Sequence, residues 1–434
     1  MTELLALPPV TEIRGRLRVP PSKSATNRAL VAAALAGSPV EIVRPLESDD
    51  TNALAGCLAA MGASIIPVPD GLAVSGPLAG DPSREIVLDA RDSGTAARFL
   101  TAAAAVTPGR FRLTGSPRLR ERPMGELVEA LASAGARIAY LEESGRLPIR
   151  VEGGHVRTGT VAVDAARSSQ FLSAVLLAAV AVEGGLSVRA SGPIASAPYV
   201  RMTIETLREL GHRVEDGELL RVTRGERITP RYETPGDYSS AIPLLCAAGA
   251  AGGRIALTGL RWPSADADAG ALAVLREMGV SVEATAAEVT ASGERGGLRP
   301  IRVRATDLPD AVPPLAALAA LAAGESAFTG ISHLRLKESD RIDALASLLT
   351  AAGARAVASP DALTVVGPAR PGSSAGRIPT SGDHRMAMAA ALLALALPNL
   401  LIENPRCVVK SYPRFFLDLE SISMRTQPPS APRR

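Results

Sequence analysis

Six alanine-rich apolar stretches recur along the chain, opening near Ser24, Gly94, Ser168, Ser239, Asp310 and His384, with successive starts 70, 74, 71, 71 and 74 residues apart. Each begins with small or polar residues and then turns apolar on nearly every position, as from Ser24 to Leu35 and from His384 to Leu395. Alanine and leucine are strong helix formers, and Ser, Thr or Asp at the opening can satisfy the first free N–H groups. A helix apolar all round is a buried helix. Out of phase with these run amphipathic stretches that stop at Gly62, Gly135, Gly211, Gly279 and Gly353, where glycine is the expected left-handed residue after a helix. Short alternating segments follow them, such as Ile149–Gly153 and Leu363–Gly367, with the period of strands.

The pattern predicts an α/β protein of six mixed units of about 70 residues, a period longer than that of common solenoid repeats. Two lobes of three units follow, with crossings near Arg18–Ser22 and Thr234–Asp237, both at proline-containing segments. Residues 1–20 with 235–425 then form the lobe holding both chain ends, 21–234 the second lobe, and 426–434 a proline-rich disordered tail. The strand expected at Glu12–Val19 has no helix before it, and the N-terminus is expected to complete the last unit, whose amphipathic helix is Tyr412–Ile422. Each buried helix carries free N–H groups and a partial positive charge at its start. If two lobes aim such ends at one another, the result is an anion trap that needs little net charge.

Composition narrows the function classes. Net charge is +3 with no basic block, so a nucleic-acid footprint is not expected. The longest apolar runs, Phe171–Val182 and Met386–Leu397, fall short of the roughly 18 residues of a membrane span. Cys57, Cys246 and Cys407 are odd in number and far apart, resembling neither a disulfide framework nor a zinc site. A soluble cytoplasmic protein is expected. Of 47 basic residues only Lys23, Lys337 and Lys410 are lysines. Arginine has replaced lysine everywhere else, so these three mark positions where a compact charge able to lose its proton is needed.

Polar residues at the predicted helix starts are the candidates for chemistry. Lys23, Ser24 and Arg28 open the first buried helix in a way that suits a phosphate or carboxylate, although no glycine-rich loop precedes them. Gly94, after Asp92 and Ser93, lets a ligand approach the backbone. Ser168, Ser169 and Gln170 supply two hydroxyls and an amide. Asp310 could be an ordinary N-cap, the commoner role of a carboxylate there. Lys337, Glu338, Ser339, Asp340 and Arg341 precede a helix, and Arg385 beside His384 is a ready clamp for planar anions.

Pro21–Arg28, Ser93–Thr95, Arg120–Met124, Ser168–Gln170, Pro235–Asp237, Leu336–Arg341 and Asp383–Met388, in this order from about residue 12 to 420, resemble the signature segments of the 5-enolpyruvylshikimate-3-phosphate synthase family. The resemblance implies two lobes, each of three βαβαββ units, forming the inverse α/β barrel of enolpyruvyl transferases. It implies transfer of the enolpyruvyl group of phosphoenolpyruvate to the 5-hydroxyl of shikimate 3-phosphate, with release of phosphate. By the same resemblance Lys23, Ser24, Arg28, Ser168, Ser169, Gln170, Ser196 and Tyr199 would hold shikimate 3-phosphate. Lys23, Gly94, Arg122, Gln170, Arg341, Arg385 and Lys410 would clamp phosphoenolpyruvate. Asp310 and Lys337 would lie on the reacting hydroxyl, either of them the base, and Glu338 would deliver a proton to the methylene carbon. It implies no metal or organic cofactor, and a monomer working on small-molecule substrates. Three positions depart from the family's usual residues: Asp92 for asparagine, Phe99 for proline and His333 for asparagine. The rivals are the related transfer to UDP-N-acetylglucosamine, disfavoured because no cysteine lies between Cys57 and Cys246, and a non-catalytic anion-binding repeat protein.

Overall fold

The computed structural model describes residues 3–8, 10–81, 83–373 and 376–425; the tail from residue 426, expected to be disordered, lies outside them. The chain divides into two compact units, one of Met1–Pro20, Gly236–Ser264 and Asp268–Arg434, the other of Pro21–Pro235 with the short loop segment Ala265–Ala267.

In the Pro21–Pro235 unit three four-stranded sheets share one plan. The second of them runs Glu85–Asp89, Gly109–Thr114, Ile149–Gly153, Arg137–Tyr140, with the first two strands parallel and the rest antiparallel. A parallel pair needs a crossover, and the buried helix Gly94–Val106 supplies it. The amphipathic helix Gly125–Ser133 then leads into the hairpin. The third sheet repeats this around Ser169–Ala178, and the first around Lys23–Ala36. The amphipathic helices are followed by Gly62, Gly135, Gly211, Gly279 and Gly353, all with φ between 90° and 99°.

The other unit repeats the plan with the buried helices Tyr238–Ala251, Val312–Leu321 and His384–Ala396. The N-terminus completes the last unit as expected, but through Leu4–Ala6; Glu12–Arg18 lies parallel to Gly253–Thr258 in the sheet of the Tyr238–Ala251 helix. Its alternation sets which face is buried: Ile13 is fully buried while Arg14, Arg16 and Arg18 face out, the pattern of a strand with one face on a core. In the last sheet Leu4–Ala6 lies antiparallel to Leu400–Glu403. The first unit of each half therefore takes its opening strand from the chain just before a crossing, Arg231–Glu233 pairing with Val40–Val43 in the same way. Backbone bonds fix both junctions, Ser22 N–H to the Pro235 carbonyl at 2.7 Å and Asp237 N–H to the Pro20 carbonyl at 3.0 Å.

The six helices are buried almost end to end, and every residue of Tyr238–Ala251 is buried. Side chains of Ser22, Ser93, Ser168 and Asp383 cap four of them. Val312–Leu321 is different. Its N-cap position is Ala311, and the two residues whose N–H a cap would bind, Pro313 and Pro314, have none. Asp310 does not cap it either, because the Val312 N–H goes to the Leu308 carbonyl at 3.1 Å.

Small residues let the sheets sit close to these helices. A Cβ on Gly153 would lie 2.0 Å from the Thr107 carbonyl oxygen and 2.1 Å from that of Ala104; on Gly367 it would lie 2.4 Å from the Ala322 oxygen. Because backbone must move to admit it, Gly153→Ala and Gly367→Ala should each cost about 1–3 kcal/mol in urea unfolding. A wild-type midpoint in either would mean the helix ends are free to retreat.

Candidate active site

In the Pro21–Pro235 unit Lys23 is the first residue of its helix, and its Nζ lies 3.1 Å from Asp50 Oδ2, both side chains nearly buried. Asp50 is held in the first turn of Asp49–Ala60 by a capping box on Ser48 and Thr51. Ser24 gives its carbonyl to Arg28 Nη1 at 2.9 Å. The Arg28 guanidinium also donates to Thr203 Oγ1 at 2.7 Å, to the Tyr199 carbonyl at 3.0 Å and to Ser173 Oγ at 3.4 Å. Four of its five N–H donors are thus used on neutral oxygens. Its charge lies 5.4 Å from the centroid of Phe99 and 5.7 Å from that of Tyr199, so the departure at Phe99 supplies a ring to this buried cation. Burial pulls Arg28 down to about 10, which leaves it charged at neutral pH.

Arg98 repeats the device one unit on, donating to the Gly94 carbonyl at 3.0 Å and the Pro123 carbonyl at 2.9 Å, with Phe171 beneath it. A Cβ on Gly94 would stand 2.4 Å from Arg98 Nη1 and 2.5 Å from Arg122 Nη1, so only glycine lets both guanidinium groups crowd this helix start. Asp92 accepts from Ser116, whose hydroxyl also caps the short helix leading toward Arg122. Ser168 caps the helix that begins at Ser169, which is buried. Gln170 donates to Thr95 Oγ1 at 3.1 Å and keeps Oε1 without a partner. Ser196 is held at φ 56° and accepts from Tyr199 N–H.

In the other unit one guanidinium organises the rest. Arg341 donates from Nε to Asp383 Oδ2 at 2.8 Å, and from Nη1 to Asp310 Oδ1 at 2.6 Å and the Pro309 carbonyl at 3.3 Å. From Nη2 it reaches Glu338 Oε2 at 3.1 Å and Asp383 Oδ1 at 3.4 Å. All five donors are engaged. Arg385 grips the second Asp310 oxygen at 3.3 Å and the Ser239 carbonyl at 2.6 Å. Burial opposes the charge of both arginines; Asp383, Asp310 and Glu338 outweigh it at Arg341, and Asp310 and Asp237 at Arg385, so both pKa values are raised. Lys410 Nζ lies 3.7 Å from the other oxygen of Glu338. Lys337 ends the turn Ser332–Leu336, and its charge bears on His333. Burial first, then Lys337, push His333 down to about 3, so its imidazole is neutral.

The structure thus gathers Asp310, Glu338, Arg341, Arg385 and Lys410 into one network. Ser24, Arg28 and Tyr199 meet in a second group, and Gly94 and Arg122 in a third. Sequence reasoning missed Asp50, Arg98, Asp268 and the structural part of Asp383. Only Asp383, inside a quoted motif, and Arg98, which follows Gly94 by four residues as Arg28 follows Ser24, carried a usable signal. Among the described residues no cluster of His, Cys, Asp or Glu could hold a metal ion.

A family model described as EPSP synthase (3-phosphoshikimate 1-carboxyvinyltransferase) matches residues 7–419. The chain belongs to this family. A relative from Syntrophobacter fumaroxidans named 3-phosphoshikimate 1-carboxyvinyltransferase is 40% identical over 95% of this chain and 98% of its own. One of the same name from Sulfurovum sp. is 37% identical over 96% and 99%. Among solved structures, EPSP synthase from Acinetobacter baumannii superposes with a TM-score of 0.78 at 25% identity, over 98% of this chain and 99% of that one. An enolpyruvyl transferase from Streptomyces tendae, with a TM-score of 0.76 at 23% identity over 96% of each chain, shares the fold.

The neutral His333 sets a pH dependence. Below about pH 6.5 the unfolded chain takes up a proton that folded His333 refuses until about pH 3, so stability falls as pH drops through that window. Urea unfolding at pH 7 and pH 5 should show the wild type losing about 1–2 kcal/mol more than His333→Asn. Equal losses would mean that the imidazole is protonated in place.

Proposed function

We propose that this protein transfers the enolpyruvyl group of phosphoenolpyruvate to the 5-hydroxyl of shikimate 3-phosphate, releasing phosphate. The observation that carries the reading is the Arg341 network, because the residues that would bind the reacting anion and those that would move protons are already in contact there. Lys23, Ser24, Arg28, Ser168, Ser169, Gln170, Ser196 and Tyr199 hold shikimate 3-phosphate. Lys23, Gly94, Gln170, Arg122, Arg341, Arg385 and Lys410 bind phosphoenolpyruvate.

The chemistry needs a base on the incoming hydroxyl and an acid on the methylene, and the reverse pair for elimination. Asp310 and Lys337 address the hydroxyl. As its oxygen bonds to the central carbon of the enol, Glu338 gives its proton to the methylene. Phosphate then leaves and the methyl group returns a proton. The five engaged donors of Arg341 add a constraint: an incoming anion must replace one protein partner. Glu338 is the partner that suits this exchange, since it bridges Arg341 and Lys410, both anion clamps. Its displacement by the substrate takes the carboxylate away from both cations, so that it can take up from solvent the proton it delivers to the methylene. The same chemistry needs no cofactor, and we assign it to a monomer in the cytoplasm; no described helix is long and apolar enough to cross a membrane.

Phosphate release should require phosphoenolpyruvate and shikimate 3-phosphate together, and release with the UDP-sugar instead would overturn the assignment. Lys337→Arg and Glu338→Gln should each lower turnover about a hundredfold or more, the scale of general acid–base catalysis. Near-normal rates would remove either residue from the mechanism.

A further inference from the structure

Asp268 is fully buried in the same unit as Asp310, and its carboxylate accepts two bonds that bear on Asp310. Oδ1 accepts from the Ala311 N–H at 3.0 Å, the peptide group that immediately follows the Asp310 side chain. Oδ2 accepts from Ser239 Oγ at 2.7 Å. Ser239 in turn holds Arg385 through its carbonyl at 2.6 Å, and Arg385 holds Asp310 Oδ2. Asp268 therefore fixes Asp310 from both sides, through its backbone and through the arginine that grips its carboxylate. The helix after Ala311 has no side-chain cap, and the Ala311 N–H is shared between Asp268 and the Leu308 carbonyl at 3.2 Å, so Asp268 supplies the side-chain bond to this segment.

We propose that Asp268 is a positioning residue that sets the orientation of Asp310 within its arginine clamp. The inference rests on the proposed reaction for its kinetic consequence but not for its geometry. The charged groups facing Asp268 are Asp310, Arg385 and Asp237. Burial, and then the charge of Asp310, lift its pKa to about 7, so near neutrality it is in part a neutral acid. That fits a residue whose contribution is geometry rather than charge. An amide can replace it: asparagine keeps an oxygen for Ala311 N–H and turns its NH2 toward Ser239 Oγ. Alanine keeps neither bond.

The test compares Asp268→Ala and Asp268→Asn with the wild type in the phosphate-release assay, alongside crystal structures of the variants. Asp268→Ala should lower kcat on the order of tenfold to a hundredfold, the scale of a misplacement near 1 Å, with KM for either substrate changed less than about threefold. Asp268→Asn should recover at least about tenfold of that loss. In the Asp268→Ala crystal the Asp310 carboxylate should leave the position it holds between Arg341 and Arg385. Finding it there unmoved overturns the inference whatever the assay gives, and so does a kcat in Asp268→Ala equal to that of an active wild type. If Asp268→Ala does not fold, the comparison passes to Asp268→Asn and Asp268→Leu, which fills the same volume without either bond; only the second should displace the Asp310 carboxylate, and an unmoved carboxylate in Asp268→Leu overturns the inference. A wild type inactive with shikimate 3-phosphate would count against the proposed reaction alone, since the crystal comparison still decides the positioning.

Discussion

A guanidinium cannot shed its charge, so burying one obliges the protein to bring carboxylates to it. Arg341, about 1% exposed, is the point at which this obligation shapes the molecule. Its five donors need five acceptors in one plane, and they come from three places: Pro309 and Asp310 before one buried helix, Glu338 before the Arg341–Ala351 helix, and Asp383 at the start of another. Removing one carboxylate leaves a cation partly uncompensated in low dielectric, a loss of several kcal/mol. Until an incoming anion takes the place of one carboxylate, the network is therefore rigid by necessity. That rigidity is also what a site for two polyanionic substrates needs, because prepaid orientation costs nothing at the moment of reaction.

The two units solve the same problem in different currencies of oxygen. In the Pro21–Pro235 unit Arg28 and Arg98 each return Nη1 to a carbonyl four residues back in their own helix, rest near an aromatic ring and reach a second segment through neutral acceptors. Neutral oxygens satisfy the donors without cancelling the charge, so the field of these cations remains available to an anion. In the other unit Arg341 and Arg385 are paired with carboxylates, which cancel the field but place ionisable groups in contact. The first arrangement favours holding a phosphate and the second favours moving protons. This division of labour supports assigning shikimate 3-phosphate to the first cluster and the acid–base steps to the second.

How much of this was legible in the sequence depended on whether a feature is local. The buried helices were legible because alanine-rich runs declare themselves by composition, and their stops because glycine at φ near 90° has few substitutes. The placement of Glu12–Arg18 was not, since a lone alternating strand says which face is buried but not which sheet takes it. Asp50 and Asp268 were invisible for a similar reason: each stands in an ordinary acidic loop or helix start, and its partner is far along the chain. Asp310 stands where a cap is expected, and Val312 would offer it an N–H; only the structure shows that this donor goes to the Leu308 carbonyl at 3.1 Å.

Asp383 shows why the fold and the chemistry cannot be varied separately. Its Oδ1 caps the His384–Ala396 helix by accepting from Arg385 N–H at 2.9 Å, and its Oδ2 takes Arg341 Nε at 2.8 Å. One carboxylate thus answers both the partial positive charge of a helix start and a buried cation. A shift of that helix along its axis would carry Asp383 and Arg385 together, loosening Arg341 and dragging Asp310 by its second oxygen. Because the helix is buried on nearly every face, such a shift requires its neighbours to repack as well. The alanine-rich core is in this sense part of the site: its close packing holds the register of the helix starts, and the helix starts hold the ionisable groups.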